Sequence, residues 1–536
     1  MSASKYAQRV SAHNAQKGMT REERKVILAS SFGALMEWYD FYIYAALAAV
    51  FGTLFFPSGN STVAFLASLA TFGAGFLIRP VGALLFGRLG DVIGRKYTFL
   101  VTILLMGIST VGVGLLPTFE HIGIAATVAL VCLRLLQGLA LGGEIGGALT
   151  YVAEHSPLRR RGLYTSSIQT TATLGLLLSL IIVAVVKVFV TDEQFLSWGW
   201  RIPFIVSLLM LVVSVYIRSK LHESPVFLEM KSRKLISKSP IRDSFLKWDN
   251  LRYVLLLFVI CAGLGAIFGT GHFYVMFFLN KTLHLPQSTV HWIMGAVLIV
   301  ATPCYLLFGW LSDRIGRKYI LVTACVLAAL TIMPIFKALT HYATPELEKF
   351  NRSTTVSIRA DDCHFSLFTA PVTACDKIKG YLTDLGVSYD LKLQPDAAVP
   401  IVRVGNEEVA GFDAAAIKKM LVAAGWPQRP DSNSMNLPAV MVLVFLLVFY
   451  LTMIYGPMGA MMVELFPARI RYTSLSLPFN LGAGWVGGML PFTVSAINVA
   501  QGNVYAGLWY PVVICAVAAV IGFVFLPETK DRSLDH

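Results

Sequence analysis

Apolar runs of about twenty residues, each long enough to cross a bilayer core as a helix, recur along the whole chain. They fall at 29–56, 62–86, 97–117, 122–150, 164–190, 200–218, 251–280, 288–311, 319–340, 438–460, 472–498 and 507–527. Backbone in hydrocarbon must satisfy its own hydrogen bonds, and runs of this length do so as helices. The expected fold is therefore an all-α polytopic membrane protein of about twelve transmembrane helices. With 56% hydrophobic and 14% charged residues among 536, the chain is too apolar for an ordinary soluble domain.

The net charge of +13 would suggest nucleic acid in a soluble protein, but here the basic residues collect in short loops between apolar runs. Arg21, Arg24 and Lys25, Arg88, Arg95 and Lys96, Arg159 to Arg161, and Arg314, Arg317 and Lys318 alternate with loops of the opposite kind. Arg218, Lys220, Lys231, Arg233, Lys234, Lys238, Arg242, Arg469, Arg471, Lys530 and Arg532 join the basic set. The loops at Pro57 to Thr62, Pro117 to Gly123 and Gln501 to Tyr505 carry no Lys or Arg. The positive-inside rule then places both termini in the cytoplasm. No short apolar core with a small-residue cleavage site follows the basic N-terminal stretch, so the first apolar segment is expected to be retained as a span.

The boundaries that follow are a tail at 1–28, a six-helix bundle at 29–218, a central loop at 219–250, helices 7–9 at 251–340, an insert at 341–437, helices 10–12 at 438–527 and a tail at 528–536. The insert is too long for an ordinary connection and is polar, so it is expected to be a small extracytoplasmic α/β unit. Its pattern predicts strands at Val356–Arg359, Tyr389–Leu393 and Ile401–Val404, with helices at Ala374–Leu385 and Ala414–Ala424.

Within the basic loops one sequence occurs twice. Gly87-Arg-Leu-Gly-Asp91-Val-Ile-Gly94-Arg95-Lys96 returns as Gly309-Trp-Leu-Ser-Asp313-Arg-Ile-Gly316-Arg317-Lys318, an offset of 309 − 87 = 222 residues. A ten-residue pattern at matching places in two six-span halves marks a duplication. Its glycines permit a tight turn, and its Asp is placed to hold a basic side chain or a helix N-terminus.

This pattern resembles the duplicated loop of the major facilitator superfamily, over nearly all the chain outside the insert. Glu37-Trp-Tyr-Asp40-Phe-Tyr, Arg79-Pro80, Arg134-Leu-Leu-Gln137-Gly138, Gly142-Gly143-Glu144 and Gly199-Trp200-Arg201-Ile-Pro203-Phe204 together resemble its metabolite:proton symporter family. His222-Glu223-Ser224-Pro225 and Pro527-Glu528-Thr529-Lys530 are similar to signatures shared with sugar porters. The resemblance implies two six-helix bundles built from repeats. It also implies alternating access, a small-molecule substrate and protons as partners, and carriage of carboxylates such as 2-oxoglutarate, citrate and shikimate or zwitterions such as proline and betaine. It further implies that Asp91 and Arg95 lock the halves at the cytoplasmic side, with Asp313 and Arg317 as a second, weaker latch. Gly87, Gly94, Lys96, Gly309, Gly316 and Lys318 complete that gate.

Ionisable residues inside a bilayer are expensive and mark function. Glu37, Asp40 and Tyr44 share one face of span 1, and Arg134, Gln137, Leu141 and Glu144 share one face of span 4. Both faces are expected to line the central cavity. Depth suggests one group of Asp40 with Arg134 and another of Glu37, Arg79 and Glu144. Asp40 or Glu37 is expected to take up the coupled proton, with Arg134 holding in turn that carboxylate and the substrate. The alternative is a fixed structural ion pair.

Tyr44, Gln137, Gln169, Tyr274 and Asn480 join Arg134 as candidate substrate ligands, with His272, Asn280, Tyr450 and Tyr455 as weaker polar candidates. Charge is expected to sit almost entirely in the first half. Gly138, Gly142 and Gly146 are expected to let helices pack closely.

The segments Gly386-Val-Ser-Tyr389, Val399-Pro400-Ile401 and Gly411-Phe412-Asp413, with Cys375, resemble a glutaredoxin-like fold. Val372 stands where a Cys-x-x-Cys motif would need its first cysteine. Cys363 with Cys375 is expected as a structural disulfide, in keeping with an oxidising compartment. No metal, cofactor, enzymatic or nucleic-acid signature stands out, and a monomer in the cell inner membrane is expected. The competing classes are an efflux antiporter, for which span 5 lacks a Gly-Pro-rich pattern, and a non-transporting nutrient sensor.

Overall fold

The computed structural model describes residues 21–56, 61–219, 225–233, 237–361, 363, 373–394, 399–427, 435–532 and 534. Lys220, His222 to Ser224, Lys234 and Val372, and the side chains of Arg21, Arg24, Lys25 and Arg95, lie outside the described residues.

Eleven helices among the described residues are long and apolar enough to cross a membrane. They are preceded by the helix Arg21–Ala46, continued by Ala48–Phe55, which is span 1. Span 2 is built from Ser61–Leu77 and Arg79–Val92, span 3 is Arg95–Leu115, span 4 is Ile124–Glu154, span 5 is Arg161–Phe189 and span 6 is Ile202–Ser219. In the second half, span 7 starts at Trp248, span 8 is Gln287–Ile315, span 9 is Arg317–Ala343, span 10 is Leu437–Glu464, span 11 starts at Arg471 and span 12 is Trp509–Phe525.

The spans form two bundles. Span 1 packs on spans 5 and 6, and span 4 on spans 2 and 3; in the second half span 7 packs on spans 11 and 12, and spans 8 and 9 on span 10. The bundles meet where span 2 faces span 11 and span 5 faces spans 8 and 10. Small residues let backbones approach: Gly138 and Gly142 of span 4 lie on the carbonyls of Gly75 and Arg79 in span 2.

Two spans leave regular α-geometry. Span 7 passes into wider turns at Gly269–Tyr274 and again at Phe278–Thr282, and span 11 does so at Asn480–Gly487. Such π-type segments disturb the regular ladder and are frequent at functional sites.

Between spans 9 and 10 lies a four-stranded mixed sheet of order β2-β1-β3-β4, with β1 Val356–Ala360, β2 Asp390–Leu393, β3 Ile401–Val404 and β4 Glu407–Ala410. β1 runs parallel to β2 and antiparallel to β3. Helices Ala374–Asp384 and Ala414–Ala423 cover it, and a further helix Pro345–Ser353 leads in from span 9.

Sequence pattern missed β4, because Glu407-Glu408 has poor strand propensity. The two-residue loop Gly405-Asn406, with Val404 paired to Glu407, is the hairpin signal that could have found it. Cys363 and Cys375 are joined, with Cα atoms 5.5 Å apart across a separation of 12 residues. Closing a loop of this size stabilises by about 2–3 kcal/mol. The double change Cys363→Ser and Cys375→Ser is therefore expected to speed amide hydrogen exchange in β1 and the helix Ala374–Asp384, while spans 1–6 exchange as before.

Candidate functional site

The two copies of the repeated loop do the same thing on opposite bundles. The Asp91 carboxylate, at the end of span 2, accepts hydrogen bonds from the Thr473 backbone N–H (2.9 Å) and hydroxyl (2.7 Å) at the start of span 11. Asp313, at the end of span 8, accepts from the backbone N–H groups of Gly162 (2.8 Å) and Leu163 (2.9 Å) at the start of span 5. Each acid caps the N-terminus of a helix in the other half, where unpaired amides and the helix dipole favour negative charge.

The glycines serve this contact. A methyl group on Gly87 would stand 3.2 Å from the Thr473 Cα, and one on Gly309 2.7 Å from the Gly162 carbonyl oxygen. Gly94 and Gly316 turn the chain into the next helix at φ 133° and 108°, which a side chain rarely adopts.

Around each cap stands a matched ion pair. Arg471, at the head of span 11, meets Glu154 at the end of span 4 at 3.0 Å. Arg161, at the head of span 5, meets Glu464 at the end of span 10 at 2.9 Å. The offsets agree, 471 − 161 = 310 and 464 − 154 = 310.

Glu464 also accepts from Arg317 Nε and Nη2, both at 3.0 Å, and from the Thr529 hydroxyl at 2.7 Å, while Arg317 stands 3.0 Å from Asp313. Glu528 caps span 9 through the N–H groups of Arg317 (2.9 Å) and Lys318 (3.1 Å). Lys96 donates to the Ser219 carbonyl at 2.9 Å.

One expectation is corrected by this arrangement: charge does not sit almost entirely in the first half, since Asp313, Arg317 and Glu464 form a buried cluster in the second. Glu464 escaped sequence reading because it follows a 27-residue apolar stretch of span 10 with no motif around it.

The intramembrane charges of the first half also partner differently. Arg218, read from sequence as a loop residue, belongs to span 6 and turns back into the bundle. It bonds Glu144 and stands 3.2 Å from Glu37. Arg79 is therefore not the cation of that group.

Asp40 accepts a hydrogen bond from Ser207 of span 6, and the Thr110 hydroxyl also lies against it. Arg134 does not hold either carboxylate. Its guanidinium sits over the rings of Tyr44 (4.4 Å), Phe41 (4.7 Å) and Phe72 (5.6 Å) and donates to Gln137 at 2.6 Å. Cation–π contact replaces a counter-ion there. Gln137 donates in turn to the Thr110 hydroxyl at 2.7 Å, which itself donates to the Met106 carbonyl at 2.9 Å and stands beside Asp40.

These polar stripes face the interior of the first bundle rather than the central cavity. Tyr44 donates to the Ser68 carbonyl at 3.1 Å, which binds span 1 to span 2. Tyr274 is likewise internal to the second bundle, accepting from Asn498 at 3.0 Å and packing on Phe336. Asn280 and Tyr450 are engaged by Leu285 and Thr331 within their own half.

What faces across the interface is the other side of span 1. Trp38 meets Phe268 of span 7 at 6.4 Å, and Tyr42 meets Phe273 at 5.7 Å. Phe268 in turn packs on His272 and Tyr455. The Thr173 hydroxyl of span 5 lies 2.7 Å from that of Tyr305 and 3.4 Å from His272 Nε2.

Arg79 stands at this interface, 5.9 Å over Trp38 and 5.1 Å over Phe76, and is 2% exposed. Among the described residues it has no carboxylate partner, and its Nε and Nη2 lack a hydrogen-bond partner. Tyr42 Oη, Gln169 Nε2, His272 Nδ1 and Asn480 Oδ1 are buried and unpartnered as well. Gln169 lies one helical turn from Thr173, on the same face of span 5. Asn480 uses its amide to reach the Gly142 carbonyl of the other bundle at 2.9 Å.

The buried region between the bundles, here the chamber, is walled by rings and holds polar atoms without partners among the described residues, which suits an anion or a polyhydroxylated molecule. Of the ligands expected from sequence, Gln169, Asn480 and His272 belong to it, together with Tyr455. Arg134, Tyr44, Gln137 and Tyr274 do not.

Glu464 neutralises two guanidinium groups at once, so its removal leaves buried positive charge. Glu464→Gln is expected to cost the closed form about 3–5 kcal/mol, read as a lower Tm of the purified protein, whereas Glu407→Gln on the exposed insert surface leaves Tm unchanged.

The sequence matches the family model described as "Sugar (and other) transporter" over residues 26–247 and 411–536. It is 31% identical over 517 residues to the inner membrane metabolite transport protein YhjE of Escherichia coli (strain K12), covering 95% of each chain. The shikimate transporter of the same organism is 36% identical over 322 residues, 59% of this chain and 72% of that one. A putative proline/betaine transporter of Staphylococcus aureus (strain MSSA476) is 36% identical over 303 residues, 56% of this chain and 64% of that one.

Among solved structures, the proton:xylose symporter XylE bound to 6-bromo-6-deoxy-D-glucose aligns with a TM-score of 0.64 at 16% identity, over 96% of this chain and 98% of that one. The fold is shared with that transporter. The chain thus belongs to the sugar (and other) transporter family of the major facilitator superfamily, a family of transporters and not of enzymes.

Proposed function

We propose that this protein is a proton-coupled symporter that takes up a small organic carboxylate by alternating access. The observation that carries the reading is Arg79, a buried guanidinium at the bundle interface with no carboxylate beside it among the described residues. A desolvated cation without a counter-ion is costly, and a substrate carboxylate would supply one.

Asp40 is the carboxylate suited to carry the proton, because Ser207 and Thr110, not a cation, are its partners. Glu37 and Glu144 share Arg218 and are suited to a structural role instead. Gln137 and Thr110 stand between Arg134 and Asp40 and are suited to couple the two. The names of relatives that carry shikimate or unspecified metabolites favour the same class.

The loop charges favour cytoplasmic termini, with the repeated loops and their caps on the same side, and the relatives favour the cell inner membrane. The closed gate then corresponds to a chamber shut from the cytoplasm. A second reading, uptake of a zwitterion such as proline or betaine, is favoured by the rings of Trp38, Tyr42, Phe268 and Tyr455, which could hold a quaternary ammonium.

Proteoliposomes loaded at neutral pH and diluted into acidic buffer, with a panel of labelled carboxylates and betaines, test both. The expected result is pH-driven accumulation of a carboxylate. Asp40→Asn should abolish accumulation but keep substrate exchange, and Arg79→Gln should raise KM about tenfold or more. Unimpaired proton-driven uptake by Asp40→Asn would remove that residue from coupling.

A further inference from the structure

The insert is fastened to the membrane bundle at two defined places, and both are helix ends. At the end of span 11, the Tyr389 backbone N–H donates to the Gly502 carbonyl at 2.8 Å and the Tyr389 hydroxyl to the Val499 carbonyl at 2.7 Å. At the end of span 7, Gly386 lies directly against the Thr282 carbonyl. Gly386 and Gly502 both have positive φ, 67° and 66°, and a methyl on either would strike the facing backbone, so each is suited to glycine on two grounds.

Beside this joint His284, which follows span 7, holds the left-handed conformation at φ 55° without being glycine. Its ring lies against the carbonyls of Asp384 and Leu385 and 6.3 Å from Trp426. Trp426 in turn donates to the Leu385 carbonyl at 3.1 Å, and Asn351 clamps the same turn through Gly386 O (2.9 Å) and the Ser388 N–H (3.1 Å). A non-glycine residue in this conformation persists only where its surroundings over-determine it.

The two helices held in this way are the ones with wider turns. Between the joint and regular helix, span 7 contains Gly269–Tyr274 and Phe278–Thr282. Inside that stretch Phe273 crosses the interface to Tyr42 (5.7 Å) and Phe72 (5.3 Å). The end of this segment, at Thr282, is held against Gly386 of the insert.

We propose that the insert is a brace that ties the ends of spans 7 and 11 together and holds Phe273 closed over the chamber, with Tyr389 as the positioning residue of the joint. It acts on the gate opposite the repeated loops and is independent of which substrate or ion is carried.

The test uses the full chain carrying Phe273→Cys in nanodiscs, with the rate of maleimide labelling at position 273 read by mass spectrometry. Three versions are compared: no further change, Tyr389→Ala, and removal of 345–435. The last is feasible because the Asn436 N–H already donates to the Tyr342 carbonyl at 2.8 Å, so the cut ends meet. Lys392→Ala, on the exposed edge strand, is the control.

The brace predicts labelling about fivefold faster or more with both Tyr389→Ala and the deletion, through a larger open population, and no change with Lys392→Ala. Labelling unchanged or slower in either of the first two overturns the proposal and leaves the insert a passive surface unit. Gel filtration of each variant identifies a misfolded deletion, in which case Tyr389→Ala alone decides.

Discussion

Everything at the basic end of the molecule depends on a carboxylate meeting the N-terminus of a helix that belongs to the other bundle. Asp91 caps span 11 and Asp313 caps span 5, each with two hydrogen bonds. Such a contact suits a reversible gate. Helix amides and a carboxylate are each readily hydrated when apart, so separation costs far less than exposing an apolar core would. The glycines of the repeat allow the approach, and the pairs Arg161–Glu464 and Arg471–Glu154 flank it. Duplication explains why the acids recur at one offset, 313 − 91 = 222, and the helix starts they cap at another, 471 − 161 = 310.

Much of the fold was legible because the bilayer imposes it. Apolar runs of spanning length, loop charge and a repeated ten-residue pattern led to two bundles of six. Legibility failed where function lies in which neighbour a side chain meets. Asp40 and Arg134 were read as a direct pair from depth, yet rings of Phe41, Tyr44 and Phe72 hold the cation and Gln137 with Thr110 bridges the gap. Arg218 was hidden by its place at the end of a helix in a basic run, and Glu464 by the absence of any motif. Helical spacing identified a polar face on span 1 but could not say whether it turned inward. The aromatic side, with Trp38 and Tyr42, is the one that meets the other half.

The interior therefore keeps apart two polar groups that the sequence reading joined. Asp40, with its hydroxyl partners, sits within the first bundle, while Arg79 and its unmet neighbours sit between the bundles. A proton on the former and an anion on the latter can influence one another through span 1, whose opposite faces touch both places. The insert adds a constraint at the far end, on the same span 7 that lines the chamber.

The claim on which the account turns is that the two acid-to-helix caps hold the bundles closed. Electron–electron distance measurement between spin labels attached through Arg88→Cys, exposed near the end of span 2, and Arg469→Cys, on the exposed loop after span 10, tests it most directly. With Asp91→Asn and Asp313→Asn together, the account predicts that a longer-distance population grows at the expense of the short one. A distance distribution identical to that of the unaltered caps would contradict it.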